Sequence, residues 1–208
     1  MELTLENQIN NTLIELYNDS KKDQLKIIKS LAKSAFRKIQ PKDFKDVYLS
    51  ISKKQGEDLS RYIIANNSKN IIEFGTSFGI STLFLAQGIR ETKGHIVTTE
   101  LIVSKAQKAI ENFKKAGVDH LIDVRIGDAL LTLKNYKEPI DLLLLDGWKD
   151  LYLPLFQLLE PNFHKNTLVY VDNANMKDAQ VFLKTIAKNP KYQIVPKYKG
   201  KVACISTI

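Results

Sequence analysis

Glu73-Phe74-Gly75-Thr76-Ser77-Phe78-Gly79-Ile80-Ser81 is the stretch on which the fold turns. An apolar run at 71–74 leads into it and a helix-like run at 81–90 leads out, so two glycines stand where a strand hands over to a helix. Gly75 permits a sharp turn, and its missing side chain lets a ligand come close to the backbone. In open α/β sheets, ligands bind in the crevice beyond the carboxyl ends of the strands. The spacing here is Gly-x-x-x-Gly, not the Gly-x-Gly-x-x-Gly of dinucleotide folds, in which backbone amides cradle a pyrophosphate. Glu73 suits a ligand carrying a positive charge better than one carrying phosphate. Without a ligand, the same loop is an ordinary glycine turn.

Outward from this loop the pattern repeats. Short apolar runs at 71–74, 95–99, 122–126, 140–145 and 167–171 alternate with helix-like stretches at 81–90, 102–116, 152–159 and 178–188. That alternation predicts an α/β fold with a doubly wound, mostly parallel sheet. Leu142-Leu143-Leu144-Leu145 has no polar alternation, as expected of a central strand buried on both faces. Residues 192–199 and 201–208 read as two strands joined tightly at Lys199-Gly200, which completes seven strands with the last one antiparallel. Upstream, apolar residues recur at helical steps in 3–17 (Leu5, Ile9, Leu13, Leu16) and in 23–39 (Leu25, Ile28, Leu31, Ala32, Phe36), where Pro41 stops the second helix. A third helix is expected over 54–66. No Gly/Ser-rich linker intervenes, so 1–208 reads as one domain, with a helical cap at 1–69 and an α/β core at 70–208.

The 208 residues suffice for one sizeable core, and 44% hydrophobic with 26% charged residues is ordinary for a soluble globular chain. No apolar run approaches the roughly 20 residues needed to span a membrane, so no membrane partner is expected. Met1-Glu2-Leu3-Thr4-Leu5-Glu6 lacks the basic and apolar regions of a secretory signal. The single cysteine, Cys204, has no internal partner and suits a reducing compartment, which makes the cytoplasm the expected location. The net charge of +8 permits nucleic acid or acidic substrates. The lysines are dispersed, however, and aromatics do not interleave with them as on a base-stacking surface.

Two further strand ends carry acids. Glu100 closes the second strand 25 residues past Gly75, a place suited to gripping ribose hydroxyls. Gly127-Asp128-Ala129 closes the third, where an acid beside small residues can meet an adenine amine; each acid alone is as readily a helix cap. The fourth and fifth apolar runs stop at Asp146 and at Asp172-Asn173. On neighbouring strands, about 4.8 Å apart, these two carboxylates face one crevice and repel unless a proton or a cation lies between them. With the neutral oxygen of Asn173, such a set suits Mg2+ at about 2.1 Å per bond. The scattered His95, His120 and His164 offer neither a zinc cluster nor a triad. Lys149, three residues past Asp146, is either a solvated surface lysine or a base whose pKa is lowered by nearby positive charge.

Leu145-Asp146-Gly147-Trp148-Lys149-Asp150-Leu151-Tyr152-Leu153-Pro154 resembles the signature of the catechol and caffeoyl-CoA O-methyltransferases, which carries His where this chain has Gly147. Asp172-Asn173 matches the second ligand pair of that family; Glu73, Gly75, Ser77 and Ser81 match its cofactor loop; Glu100 matches its ribose acid. Ile51 falls where the family meets the cofactor from the preceding helix, and Leu101, Asp128, Ala129, Asp146 and Trp148 complete the cofactor positions implied. The resemblance runs from about residue 50 onward. It implies a Rossmann-like class I methyltransferase fold, S-adenosylmethionine and Mg2+ (or another divalent cation) as cofactors, Asp146, Asp172 and Asn173 as metal ligands, and Lys149 as the base. It also implies a small catechol-like or phenolic acceptor and a homodimer. Two departures stand out: Gly147 is expected to open the pocket beside the metal, and the C-terminal hairpin offers Lys197, Lys199 and Lys201 instead of an acid, which favours an acidic acceptor. Two other readings stay open. One is a transfer-RNA methyltransferase acting on a hydroxylated wobble uridine; the other is a non-catalytic S-adenosylmethionine-binding protein, which would need neither Lys149 nor the metal ligands.

Overall fold

The strands form where the apolar runs predict them: β1 (Asn70–Phe74), β2 (His95–Glu100), β3 (Ile122–Ile126), β4 (Ile140–Leu145), β5 (Phe163–Val171), β6 (Tyr192–Lys197) and β7 (Val202–Thr207). Between them run α3 (Ile80–Thr92), α4 (Val103–Lys115), the short α5 (Ala129–Thr132), α6 (Tyr152–Leu159) and α7 (Lys177–Ile186), preceded by α1 (Leu5–Lys21) and α2 (Lys53–Ala65). These elements come from a computed structural model that describes residues 4–21, 43, 47 and 50–208; the helix expected over 23–39 lies outside the described residues.

The sheet has the order β3-β2-β1-β4-β5-β7-β6. All neighbours are parallel up to β5, and β7 runs antiparallel to both β5 and β6. The chain winds outward from β1 to β3, then returns to β4 on the other side of β1. The switch point of this doubly wound sheet therefore lies between β1 and β4, and the crevice at their carboxyl ends is the place where such folds bind ligands.

Side-chain alternation explains the two covered faces. Ile71, Leu142 and Leu144 point into an apolar cluster with α1, α2, α3 and α4, whereas Ile72, Leu143 and Leu145 point into a second with α6 and α7. Leu142 to Leu145 are all 0% exposed, so each contributes on the order of 1.5–3 kcal/mol of burial, and the run needs no polar residue. Ile9, Leu13 and Leu16 seat α1 in the first cluster. Helices α2 and α3 cross closely at Gly56, where an added Cβ would stand 2.2 Å from the Phe84 ring.

Strand β5 starts at Phe163 rather than at 167, because Phe163 pairs with Ile140 ahead of a register shift. The polar His164-Lys165-Asn166 hid this start from the apolar pattern. The final turn is longer than the tight join expected at Lys199-Gly200: Lys197 pairs with Val202, and Tyr198, Lys199 and Gly200 between them take positive φ, at 50°, 54° and 84°. Among the described residues no helix is long and apolar enough to cross a membrane.

Candidate active site

The strand ends bring the sequence-selected acids together. Asp146 N donates to Phe74 O at 3.0 Å, and Asp172 N donates to Leu145 O at 3.0 Å, so the sheet ladder carries over one residue past each strand. This links the loops after β1, β4 and β5 at the crevice. Gly75 (φ +107°) permits this approach: an added Cβ would stand 2.9 Å from Asp146 C and O and from Gly147 N. The space in the Cβ direction of Gly75 is therefore filled by the Asp146-Gly147 peptide, so the missing side chain serves the close approach of the β1 and β4 loops.

The loop after β1, expected to meet the cofactor, is held from below. Gly75 N and Thr76 N both donate to Thr99 O at 3.1 Å. Glu73 is fully buried; its Oε2 accepts from Thr82 Oγ1 at 2.5 Å and Thr98 Oγ1 at 2.6 Å. Its Oε1 has no hydrogen-bond partner among the described residues. Burial raises the Glu73 carboxyl above its ordinary value, against the lowering by the Ser81, Thr82 and Thr98 hydroxyls. Ser77 takes φ +50° and donates its backbone N–H to Glu100 Oε2 at 2.8 Å, while Ile102 N donates to Glu100 Oε1 at 2.8 Å. Glu100 is thus oriented by one amide on each oxygen. Lys105 is buried, with Nζ 3.0 Å from Val47 O and 3.4 Å from Ser77 Oγ.

The other residues expected to meet the nucleoside differ in exposure. Asp128 is exposed and caps α5, its Oδ1 accepting from Leu130 N at 2.9 Å, while Ala129 is buried. Leu101 is 54% exposed at the mouth of the crevice, beside Glu100. Ile51 sits in the first apolar cluster, and its carbonyl accepts from the Tyr17 hydroxyl at 3.0 Å.

The acid pair is the electrostatic centre. Asp172 is 3% exposed, and Asn173 after it takes φ +53°. Burial first, then the charge of Asp172, push the Asp146 carboxyl well above the usual carboxylate range; Lys149 opposes this. Lys149 opens a 3-10 turn, Lys149–Leu151, ahead of α6. Its side chain is 16% exposed and folds back, with Nζ donating to Gly147 O at 2.9 Å and standing 3.8 Å from Asp146 Oδ1. The solvated-lysine reading is therefore set aside. Trp148 is half-buried against the second cluster. Gly147 does not open a pocket: its missing Cβ direction is occupied by the Phe74 ring, 2.5 Å from where a Cβ would stand.

Two residues at this centre were not selected from the sequence. Gln55 Nε2 donates to Asp172 Oδ1 at 2.8 Å. The Tyr152 hydroxyl donates to Asp172 O at 3.3 Å and is pushed well above its ordinary pKa by burial, then by Asp146 and Asp172. Ser52 followed three residues later by Gln55 is a readable helix-start signal, but not a signal of contact with Asp172. Of the histidines, His164 bonds Asp141 Oδ1 at 3.0 Å at the opposite edge of the sheet, and His95 and His120 are exposed.

Among the described residues no three His, Cys, Asp or Glu side chains converge. The acids at the crevice are a pair. Two adjacent carboxylates, with burial and the charge of Asp172 raising the proton affinity of Asp146, fit one hard divalent cation, with Asn173 as an adjacent neutral oxygen donor.

A model of the O-methyltransferase family matches residues 18–202. A catechol O-methyltransferase from Niastella koreensis is 30% identical over 137 residues, covering 64% of this chain and 61% of that protein. A caffeoyl-CoA O-methyltransferase from Medicago sativa is 33% identical over 127 residues, covering 58% of this chain and 47% of that protein. The chain thus spans about half to three-fifths of the length of the curated relatives it matches. An S-adenosylhomocysteine-bound methyltransferase from Podospora anserina shares the fold, with a TM-score of 0.72 at 21% identity over 88% of each chain.

Proposed function

The chain belongs to the O-methyltransferase family, and from that premise we propose that it transfers the methyl group of S-adenosylmethionine to a hydroxyl of a small catechol-like or phenolic acceptor, in a Mg2+-dependent reaction. The observation that carries this reading is the meeting of Asp146, Asp172 and Lys149 at the carboxyl edge of the sheet, beside the loop that opens at Gly75.

Asp146, Asp172 and Asn173 would hold the cation. When bound, it lowers the pKa of the acceptor hydroxyl. Glu100, already oriented by two backbone amides, would take the ribose hydroxyls, and Leu101 and Asp128 would border the adenine. Glu73, Ser77, Ser81 and Trp148 would line the amino-acid end of the donor. Lys149 Nζ, in its neutral form, would take the acceptor proton and become an ammonium. The acceptor oxygen would then attack the donor methyl in line, forming the C–O bond as the C–S bond breaks, with its electron pair staying on sulfur as S-adenosylhomocysteine leaves. The protein's share is mainly alignment and exclusion of water.

Lys201 supports an acidic phenol as acceptor. Its carbonyl accepts from Ala174 N at 2.7 Å, which brings the basic turn Lys197–Lys201 beside the Asp172-Asn173 loop. The half-buried Cys204 suits the reducing cytoplasm, and the helical N-terminal segment would serve a homodimer.

The test is turnover of S-adenosylmethionine with a panel of neutral and anionic catechols, with and without Mg2+, alongside Asp146→Ala. Methylation that requires both the metal and Asp146, and is faster on anionic catechols, is expected. No turnover with S-adenosylhomocysteine binding intact would overturn the small-phenol acceptor and favour transfer RNA or a binding role. Turnover without metal would overturn the metal assignment.

A further inference from the structure

Gln55 occupies the third position of α2 and closes a capping box with Ser52, a role in which a polar side chain ordinarily faces water. Here it is 1% exposed. Its Oε1 accepts from Ser52 N at 3.0 Å and from Ser52 Oγ at 2.8 Å. A backbone N–H can only donate, so the amide oxygen must face Ser52 and the NH2 must face the other way. On that side Nε2 lies 2.8 Å from Asp172 Oδ1 and 3.4 Å from the Tyr170 hydroxyl. Capping the helix requires only the oxygen, so the contact with Asp172 is an additional function of the same side chain.

The chemistry of the donor matters. A lysine or arginine at this point would neutralise Asp172 and compete with a cation. An amide NH2 is uncharged; it orients the carboxylate and leaves the negative charge in place. Groups that orient metal-binding side chains raise affinity because less ordering remains to be done on binding.

We infer that Gln55 is a positioning residue that locks the Asp172 carboxylate beside Asp146 for a divalent cation, using the α2 cap at Ser52 as its anchor. The inference rests on the metal reading above. It makes the start of α2 part of the cation site, although α2 supplies no ligand.

The test is a titration of the whole protein with Mn2+, followed by the loss of the free-ion electron paramagnetic resonance signal, which needs no turnover. S-adenosylhomocysteine affinity is measured in parallel by calorimetry. Gln55→Met removes both the cap acceptor and the donor to Asp172. Ser52→Ala removes the cap hydroxyl but keeps the Ser52 N–H that fixes the Gln55 amide. Gln55→Met is expected to raise the Mn2+ Kd about 10-fold or more, with Ser52→Ala close to the parent and S-adenosylhomocysteine affinity held. If Gln55→Met does not fold, Gln55→Asn carries the test: its amide, one methylene shorter, cannot span Ser52 and Asp172, and the same loss of Mn2+ affinity is expected. An unchanged Mn2+ Kd in the folded Gln55 variant overturns the role of Gln55 and leaves the metal reading standing. Equal losses in Ser52→Ala and Gln55→Met overturn it too, by making the effect one of helix capping. Absence of Mn2+ binding in the parent protein overturns both.

Discussion

Replacing Gly147 by alanine adds one methyl group at a place where the structure leaves no room for it. Gly147 is not among the residues of positive φ, so alanine meets no backbone strain and only its Cβ acts. That Cβ would stand 2.5, 2.6 and 2.8 Å from Cε1, Cζ and Cδ1 of Phe74. Carbon atoms in contact ordinarily keep about 3.5–4.0 Å, so the ring or the loop must give by about 1 Å. Phe74 has little freedom to yield: it is 8% exposed and stands edge-on to the fully buried Tyr152, with ring centroids 6.3 Å apart. Overpacking of this kind costs about 1–3 kcal/mol. In a chain of this length that lowers Tm by about 2–12 °C. The decisive assay is a cycle of four proteins unfolded in urea: parent, Gly147→Ala, Phe74→Leu and the double variant. Phe74→Leu alone should cost about 1–2 kcal/mol for the apolar volume removed. In its presence the alanine should cost little, which gives a coupling of about 1 kcal/mol or more. Equal cost of Gly147→Ala in both backgrounds, or no cost in either, would refute the steric account of Gly147.

The acid pair and the α2 rim give two further expectations. Burial and Asp172 raise Asp146, so without a cation the folded protein keeps a proton that the unfolded chain has released, and stability falls as pH rises from the ordinary 3.8 towards the folded value. Asp146→Asn should flatten that slope and add on the order of 1 kcal/mol at neutral pH in urea unfolding without metal; an unchanged slope would sink the idea. Asp58 runs the opposite way: the Tyr198 hydroxyl first, then Arg61 and Lys54, lower it from 3.8 to about 2, so its contribution is present above 3.8 and lost as pH falls towards about 2. Tyr198→Phe should therefore shift acid unfolding, followed by circular dichroism, to higher pH, and an unmoved midpoint would count against the contact.

What was legible in the sequence was whatever depends on period. Strands at 122–126 and 140–145 and the helix at 152–159 stand where apolar spacing put them, because burial on one or both faces dictates that spacing. The strand-end acids were legible for the same reason: once a run is a parallel strand, its last residue falls at the crevice. Contacts between distant segments were not legible. Gly147 reads as a gap until Phe74, 73 positions earlier, is seen to fill it. Gln55 reads as a helix-start residue, since nothing local reports that Asp172 lies 2.8 Å from its amide nitrogen. Lys149 was ambiguous because a lysine that folds back on Gly147 O looks, in sequence, like one that faces water.

The place of β7 in the sheet has a consequence for how the chain is made. It follows β6 in sequence yet lies between β5 and β6, so neither the outer edge of β5 nor any part of β6 has a partner before residues 202–207 emerge from the ribosome. Until then the nascent chain exposes a buried-type strand edge at Val169, Tyr170 and Val171, the kind of surface that pairs with other chains. Synthesis that stalls within those six positions should leave a species prone to aggregation and dependent on chaperones, although nearly all of the crevice has by then been translated.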